Sequence, residues 1–171
     1  MVRSFIAVFA AMSVGSAVSV AAQQAAAPVA PGTYVSAAEL MDVLKKAGDV
    51  PTIDTTAKTV PAGPNNVLVN IGHRTKAGAT MVGVAHADFT EVYHVIEGAG
   101  TVTTGGTFLN PEQRAGGNTR GTIQNGVSRR ITVGDVVVIP VATPHTFSDI
   151  ESTVVFLNIR IVHGQGAQPP R

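Results

Sequence analysis

Between Asn66 and Val162 the sequence is cut by glycine and proline into short runs rich in valine, isoleucine and threonine. Glycine and proline stop regular structure and β-branched residues favour extended backbone, so this stretch is committed to many short strands joined by turns. A period of two is explicit in several runs. In residues 66–74, Val67, Val69, Ile71 and His73 share one face while Leu68, Asn70, Gly72 and Arg74 share the other; the apolar face is expected inward, and His73 with it. Thr80, Val82, Val84 and His86 share a face, which directs Val84 inward. Residues 91–96 form a further strand, Gly98-Ala99-Gly100 reads as a turn, and residues 101–104 as a short strand beyond it. Residues 136–141 are apolar on both faces, as suits a strand between an interior and packed neighbours. The last strand is expected over residues 153–162, with Val155, Leu157, Ile159 and Ile161 on one face.

A chain of 171 residues is long enough for one domain with its own core. Residues 1–22 have the build of a secretory signal peptide: Arg3, an apolar run from Phe5 to Val14, and small residues up to Ala22. The run falls short of the ~20 apolar residues that span a bilayer, so no stable membrane anchor is expected after cleavage, and the compartment is periplasmic or secreted. Residues 23–32 are a low-complexity leader. Ser36 and Glu39 then form a capping box before Leu40, Val43, Leu44 and Ala47 at helical spacing, and Gly48 closes a single short helix. The β domain takes residues 50–163, with residues 50–66 an edge strand or loop, and residues 164–171 a frayed tail. Net charge is +1 with 13% charged residues, which excludes a basic nucleic-acid footprint. The absence of cysteine excludes disulfides, thiolate catalysis and thiolate-bound zinc. Strands, turns and one N-terminal helix together imply an all-β, double-sheet jelly-roll barrel.

Two stretches carry the chemistry. In the first, His86 is followed at fixed intervals by Glu91 and Gly98; in the second, Gly134, Pro140 and His145 recur at fixed spacing, with Ala142 and Asp149 between and after. The pair resembles the two motifs of the cupin superfamily, a double-stranded β-helix whose first motif asks for G, five residues, H-x-H, three or four residues, E, six residues, G. The second asks for G, five residues, P-x-G, two residues, H, three residues, N. His86 matches the second histidine of the first motif, Val84 replaces the other, Ala142 replaces the inner glycine of the second motif and Asp149 its asparagine. The resemblance covers residues 66–162. It implies a divalent metal (iron, manganese, nickel or zinc) held inside the barrel by His86, Glu91 and His145, with His73 a candidate to replace the ligand lost at Val84.

Two imidazoles and a carboxylate are the donor set of non-haem iron oxygenases, so a dioxygenase acting on a small organic molecule is one implied activity. Isomerase or lyase chemistry with the metal as Lewis acid is another. A non-catalytic ligand-binding or structural barrel is the alternative that Val84 favours, and a sugar-nucleotide epimerase is disfavoured by export and by the scarcity of aromatic residues. Val84, Tyr93 and Phe147 are expected to wall the pocket, Tyr93 also as a candidate acid or hydrogen-bond donor. His94, three residues past Glu91, falls on the opposite strand face, and His163 lies beside the tail. Residues 107–126, glycine- and asparagine-rich with little apolar content, read as a long loop inserted between the motifs. If it lies over the barrel mouth, Arg114 or Arg120 meets an anionic ligand; a solvated excursion is the commoner fate of such a loop. Family resemblance also implies a homodimer.

Overall fold

A computed structural model describes residues 30–163 of the chain. The chain divides into two units, Met1–Gly32 and Thr33–Arg171. Of the first, only residues 30–32 are described, and they carry no helix or strand. The expected signal peptide, most of the leader and the tail therefore lie outside the described residues. Among those described, no helix is long and apolar enough to cross a membrane.

Among its described residues the second unit is all-β with one α-helix, as expected. Helix α1 (Ala37–Ala47) starts where Ser36 accepts a hydrogen bond from the Glu39 amide and stops at Gly48, whose φ of 85° continues no right-handed turn. The described residues form nine strands, β1 (Thr52–Ala62), β2 (Asn65–Arg74), β3 (Val82–Ala85), β4 (Phe89–Thr104), β5 (Thr107–Gln113), β6 (Thr119–Gln124), β7 (Val127–Thr132), β8 (Val136–Ile139) and β9 (His145–Val162).

Two long strands organise the rest. β4 and β9 pair antiparallel along almost their whole length, from Phe89 opposite Val162 to Thr104 opposite His145. The first half of β4 also pairs with β8 and its second half with β7, while β9 pairs with β2 through residues 154–162 and with β3 at His145. Register shifts cluster between Val95 and Val102, where bulges bend the pair from one layer into the other. Gly98-Ala99-Gly100 is thus the bend of one 16-residue strand rather than a turn between two. Gly98 has φ of 78°, and a Cβ there would lie 2.0 Å from the Thr153 carbonyl oxygen, so only glycine fits.

The interior of the barrel holds Tyr93, Val95, Val102, Ile131, Ile139, Phe147, Ile150, Val154 and Phe156. A second apolar cluster lies under α1, where Leu44 packs on Ile53, Ile71 and Val155 with Leu40 and Val43 beside it. This reverses the expected orientation of β2. Its apolar face, with Ile71, is the outer one, covered by the helix; the opposite face turns Arg74 into the cavity. The helix supplies the burial that the alternation alone attributes to the barrel interior. β8 also departs from expectation, since Val136 and Val138 are exposed and its only buried residue is Ile139.

Residues 107–126 form the β5–β6 hairpin rather than a loop. Its strands escape the sequence pattern because β5 is exposed almost throughout and a register shift between Leu109 and Glu112 accommodates Pro111. β6 pairs on its other edge with β3 and buries Ile123, which joins the hairpin to the barrel.

The two glycine-type positions of the motifs differ in a testable way. Ala142 occupies the left-handed region, φ 59°, in the turn whose amide donates to the His86 carbonyl. Ala142→Gly is expected to raise stability by about 0.5–1 kcal/mol, the relief of left-handed strain less the added chain entropy. Gly98→Ala is expected to lower it by about 3 kcal/mol or more, because strain and backbone clash act together. Urea denaturation of both variants checks this; an Ala142→Gly that destabilises contradicts it.

Candidate metal centre

The bent β4–β9 pair explains why residues distant in sequence meet. The first half of β4 directs Glu91 and Tyr93 inward, where they face Arg160 and Asn158 of β9 in direct register. The start of β9 brings His145 and Phe147 onto the same interior, and His86 follows the end of β3. One ligating atom from each of His86, Glu91 and His145 lies within 4.8 Å of the others. Glu91 and His145 are buried and His86 is partly so.

Each of these side chains is oriented by a second contact. His86 Nδ1 lies 2.9 Å from Asn118 Oδ1, and Asn118 Nδ2 donates to the Ala115 carbonyl at 3.2 Å. With its NH₂ group committed, Asn118 presents its oxygen to the ring, so His86 Nδ1 is the donor and Nε2 carries the lone pair. His145 Nδ1 likewise donates to the Thr143 carbonyl at 3.0 Å. Glu91 Oε1 accepts from Asn158 Nδ2 at 2.8 Å and Arg160 Nε at 3.0 Å, leaving Oε2 to face the two imidazoles. His145 Nε2 is 3.0 Å and His86 Nε2 3.6 Å from that oxygen, and the Tyr93 hydroxyl donates to it at 3.3 Å.

Lone-pair atoms this close need a positive species among them. A proton satisfies the His145–Glu91 contact alone. A divalent cation would satisfy all three, whose ligating atoms lie within 4.8 Å of one another. Two Nε2 atoms, each on a ring held at Nδ1 by an oxygen acceptor, with one carboxylate oxygen, make the oriented set a metal needs. The donor chemistry fits a divalent metal.

Around the triad lies a cavity of ≈ 520 Å³. Val84, Tyr93 and Phe147 line it. Below the triad, Arg74 pairs with Asp54, donates to the Ile53 carbonyl at 2.7 Å and lies over the rings of Phe147 and Phe156. Arg160 stacks on Phe89 at 4.8 Å, and Phe89 on His86 at 4.3 Å, so one column runs from the arginine to a ligand ring.

His73 does not join the site. Its Nε2 meets the Val50 carbonyl, and its strand position follows the outer face of β2. His94 is exposed and Asp149 is exposed, while His163 bonds the Thr90 hydroxyl at 3.2 Å at the end of β9. The residues missed from sequence are Asn118, Asn158, Arg160, Asp54 and Phe89. For two of them a signal existed: the face of the last strand opposite Val155 and Leu157 runs Phe156, Asn158, Arg160, turning polar where it nears Glu91.

No family model matches the chain, and no curated protein matches it. Solved structures do. The chain is similar to KdgF from Halomonas sp., at 18% identity over 72% of this chain and 84% of that one, with a TM-score of 0.45. It is similar to a cupin protein from Bacteroides fragilis, at 18% identity over 61% and 72%, TM-score 0.38. A protein of unknown function from Rhizobium leguminosarum aligns at 11% identity over 80% and 100%, TM-score 0.47. These likenesses accompany the antiparallel barrel that the strands themselves define; they speak to no activity.

Protonation follows from the surroundings. Burial lowers the His86 pKa more than the Glu91 charge raises it, which favours the neutral ring. Burial alone would raise Glu91, but the hydrogen bond and charge of His145, the Arg160 charge and the Asn158 amide outweigh it and hold the carboxyl at about 2. Tyr93 is pushed well above its ordinary range by burial and then by Glu91 and Asp54, so its phenol stays protonated and acts as a donor. Both His86 and Glu91 take up protons more readily unfolded than folded. The metal-free protein is therefore expected to lose stability as pH falls below 6.5 through His86, and further from 4.5 toward 2 through Glu91. The Glu91 part is on the order of 3 kcal/mol. Denaturation of chelator-treated protein across this range, beside Glu91→Gln, tests it; equal acid sensitivity of the variant contradicts the assignment.

Proposed function

We propose that this cupin-type barrel binds one divalent metal through His86, Glu91 and His145 and acts on a small organic molecule held in the cavity. The observation that supports it is the pair of anchored imidazoles, each with Nδ1 committed and Nε2 directed at the same carboxylate oxygen. A metal held by His86, Glu91 and His145 would supply Lewis acidity or, if iron, activation of O₂. Oxygenation is the chemistry we favour, with isomerisation or elimination the other reactions this set serves. Iron, manganese, nickel and zinc all accept these donors.

The protein's own groups have distinct parts in this proposal. With Oε1 held by Asn158 and Arg160, Glu91 offers a single oxygen. Tyr93 keeps a proton beside that oxygen. Val84, Tyr93 and Phe147 wall the cavity with apolar surface and limit water at the reacting centre. Export is supported by the character of residues 1–22, and a homodimer by the exposed valines Val133, Val136 and Val138.

A second reading has its own support: Val84 removes one ligand position of the resembled family, and the 3.0 Å His145–Glu91 contact is satisfied by a proton alone. In that reading the barrel binds its ligand without metal and without turnover.

Elemental analysis of untagged protein purified without chelators separates the two. Near-stoichiometric metal that disappears in both His86→Ala and His145→Ala is the expected result. Asn118→Ala is expected to weaken metal binding by about 10- to 100-fold without abolishing it, because only the orientation of His86 is lost. No metal in the native protein, and none taken up on dialysis, overturns the proposal in favour of the second reading.

A further inference from the structure

We infer that the ligand of the cavity is a small organic carboxylate whose negative end is gripped by Arg120. The inference rests on the cavity being the ligand site of the proposed function.

Four arginines and two carboxylates line the cavity: Arg74, Arg114, Arg120 and Arg160 against Asp54 and Glu91. Three of the four cations are committed. Arg74 is bound by Asp54, Arg160 by Glu91 at 3.0 Å and Asp54 at 3.8 Å, and Arg114 by Glu112. Among the described residues, Arg120 alone of the four has no ion pair or side-chain hydrogen bond to satisfy its guanidinium. It is exposed at the rim, so its fork of donors is available to an incoming molecule.

Strand register fixes where that fork stands relative to the triad. Arg120 of β6 lies directly opposite Val84 of β3, and Val84 lies directly opposite His145 of β9. Directly paired residues project from the same face of a sheet, and all three line the cavity. They form a row across three strands: a free cation, an apolar side chain, and a candidate metal ligand. Two inter-strand spacings put the ends of the row about 10 Å apart at the backbone. An arginine side chain covers part of that distance, which leaves a gap for a molecule of a few carbon atoms.

The row also explains what Val84 does. Where the resembled family places a histidine, this chain places an apolar contact between two polar ends, with Val82 and Phe147 also on the cavity wall. A ligand with an apolar middle and a carboxylate at the Arg120 end is complementary to it. A bare inorganic anion would leave those apolar contacts unused. The unpaired cation adds an attraction for negative charge whether or not a metal is bound, and a metal would strengthen it.

Isothermal titration with succinate, and with its neutral diamide succinamide, tests the inference on wild type, Arg120→Gln, Arg120→Lys and Arg130→Gln, each in metal-loaded and chelator-treated form. Arg120→Gln is expected to weaken succinate binding by roughly tenfold to a hundredfold in both forms, with the metal content unchanged. Arg120→Lys is expected to recover part of the loss, since it restores charge without the fork. Arg130→Gln, outside the cavity and paired to Glu151, should stay near wild type, and succinamide binding should not depend on Arg120. Succinate binding unchanged in Arg120→Gln, or absent in the wild type at millimolar concentration, overturns the inference and leaves the metal proposal standing. Arg120-dependent succinate binding by a protein that takes up no metal supports the inference while the metal proposal fails.

Discussion

The antiparallel pairing of β4 with β9 is the constraint on which the rest depends. A straight pair of this length would keep Glu91 and His145 in different parts of one flat sheet. Bulges between Val95 and Val102 let both strands bend together, so that residues from the first half of β4 face residues from the start of β9 across the interior. Gly98 makes the bend feasible because the Thr153 carbonyl occupies the space a side chain would need. The same pair supplies Tyr93, Phe147 and Phe156 to the core and Glu91, His145, Asn158 and Arg160 to the site. Packing and chemistry share the inner face of one bent ladder.

A buried carboxylate sets the electrostatic terms of the site. Glu91 is 1% exposed, and an unpartnered charge at that depth would protonate. Asn158 and Arg160 hold one oxygen, and two histidines and a tyrosine surround the other. Arg160 is in turn fixed by Asp54 and Phe89, and Asp54 by Arg74. The network ends where charges are balanced in pairs, which is why the unpaired Arg120 stands out at the rim. The β5–β6 hairpin contributes at both scales, since Asn118 orients His86 while Arg120 faces the ligand space.

Much of this was legible in the sequence wherever a local rule carried the information. Helix α1 was readable from Ser36, Gly48 and its apolar period, because caps and amphipathicity are encoded within a few residues. His86, Glu91 and His145 were readable only because their spacings match the two motifs of the resembled family, which implies that they converge. The orientation of β2 was not, because alternation reveals two faces without saying what covers each. Here a helix distant in sequence buries Ile71, and Arg74 takes the interior. The hairpin was hidden for a related reason: exposed edge strands such as β5 need no apolar alternation, and the bulge before Glu112 disrupts what period there is. Asn118 and Asp54 belong to no motif and act through contacts that only the folded chain creates.

The central claim is that three oriented side chains form one metal centre. Anomalous diffraction from crystals grown with manganese, recorded at the metal edge, tests it most directly. The account predicts a single peak bonded to His86 Nε2, His145 Nε2 and one oxygen of Glu91, with Asn118 and Thr143 still holding the two Nδ1 atoms. A peak elsewhere, or no peak while His145 remains in contact with Glu91, would contradict it.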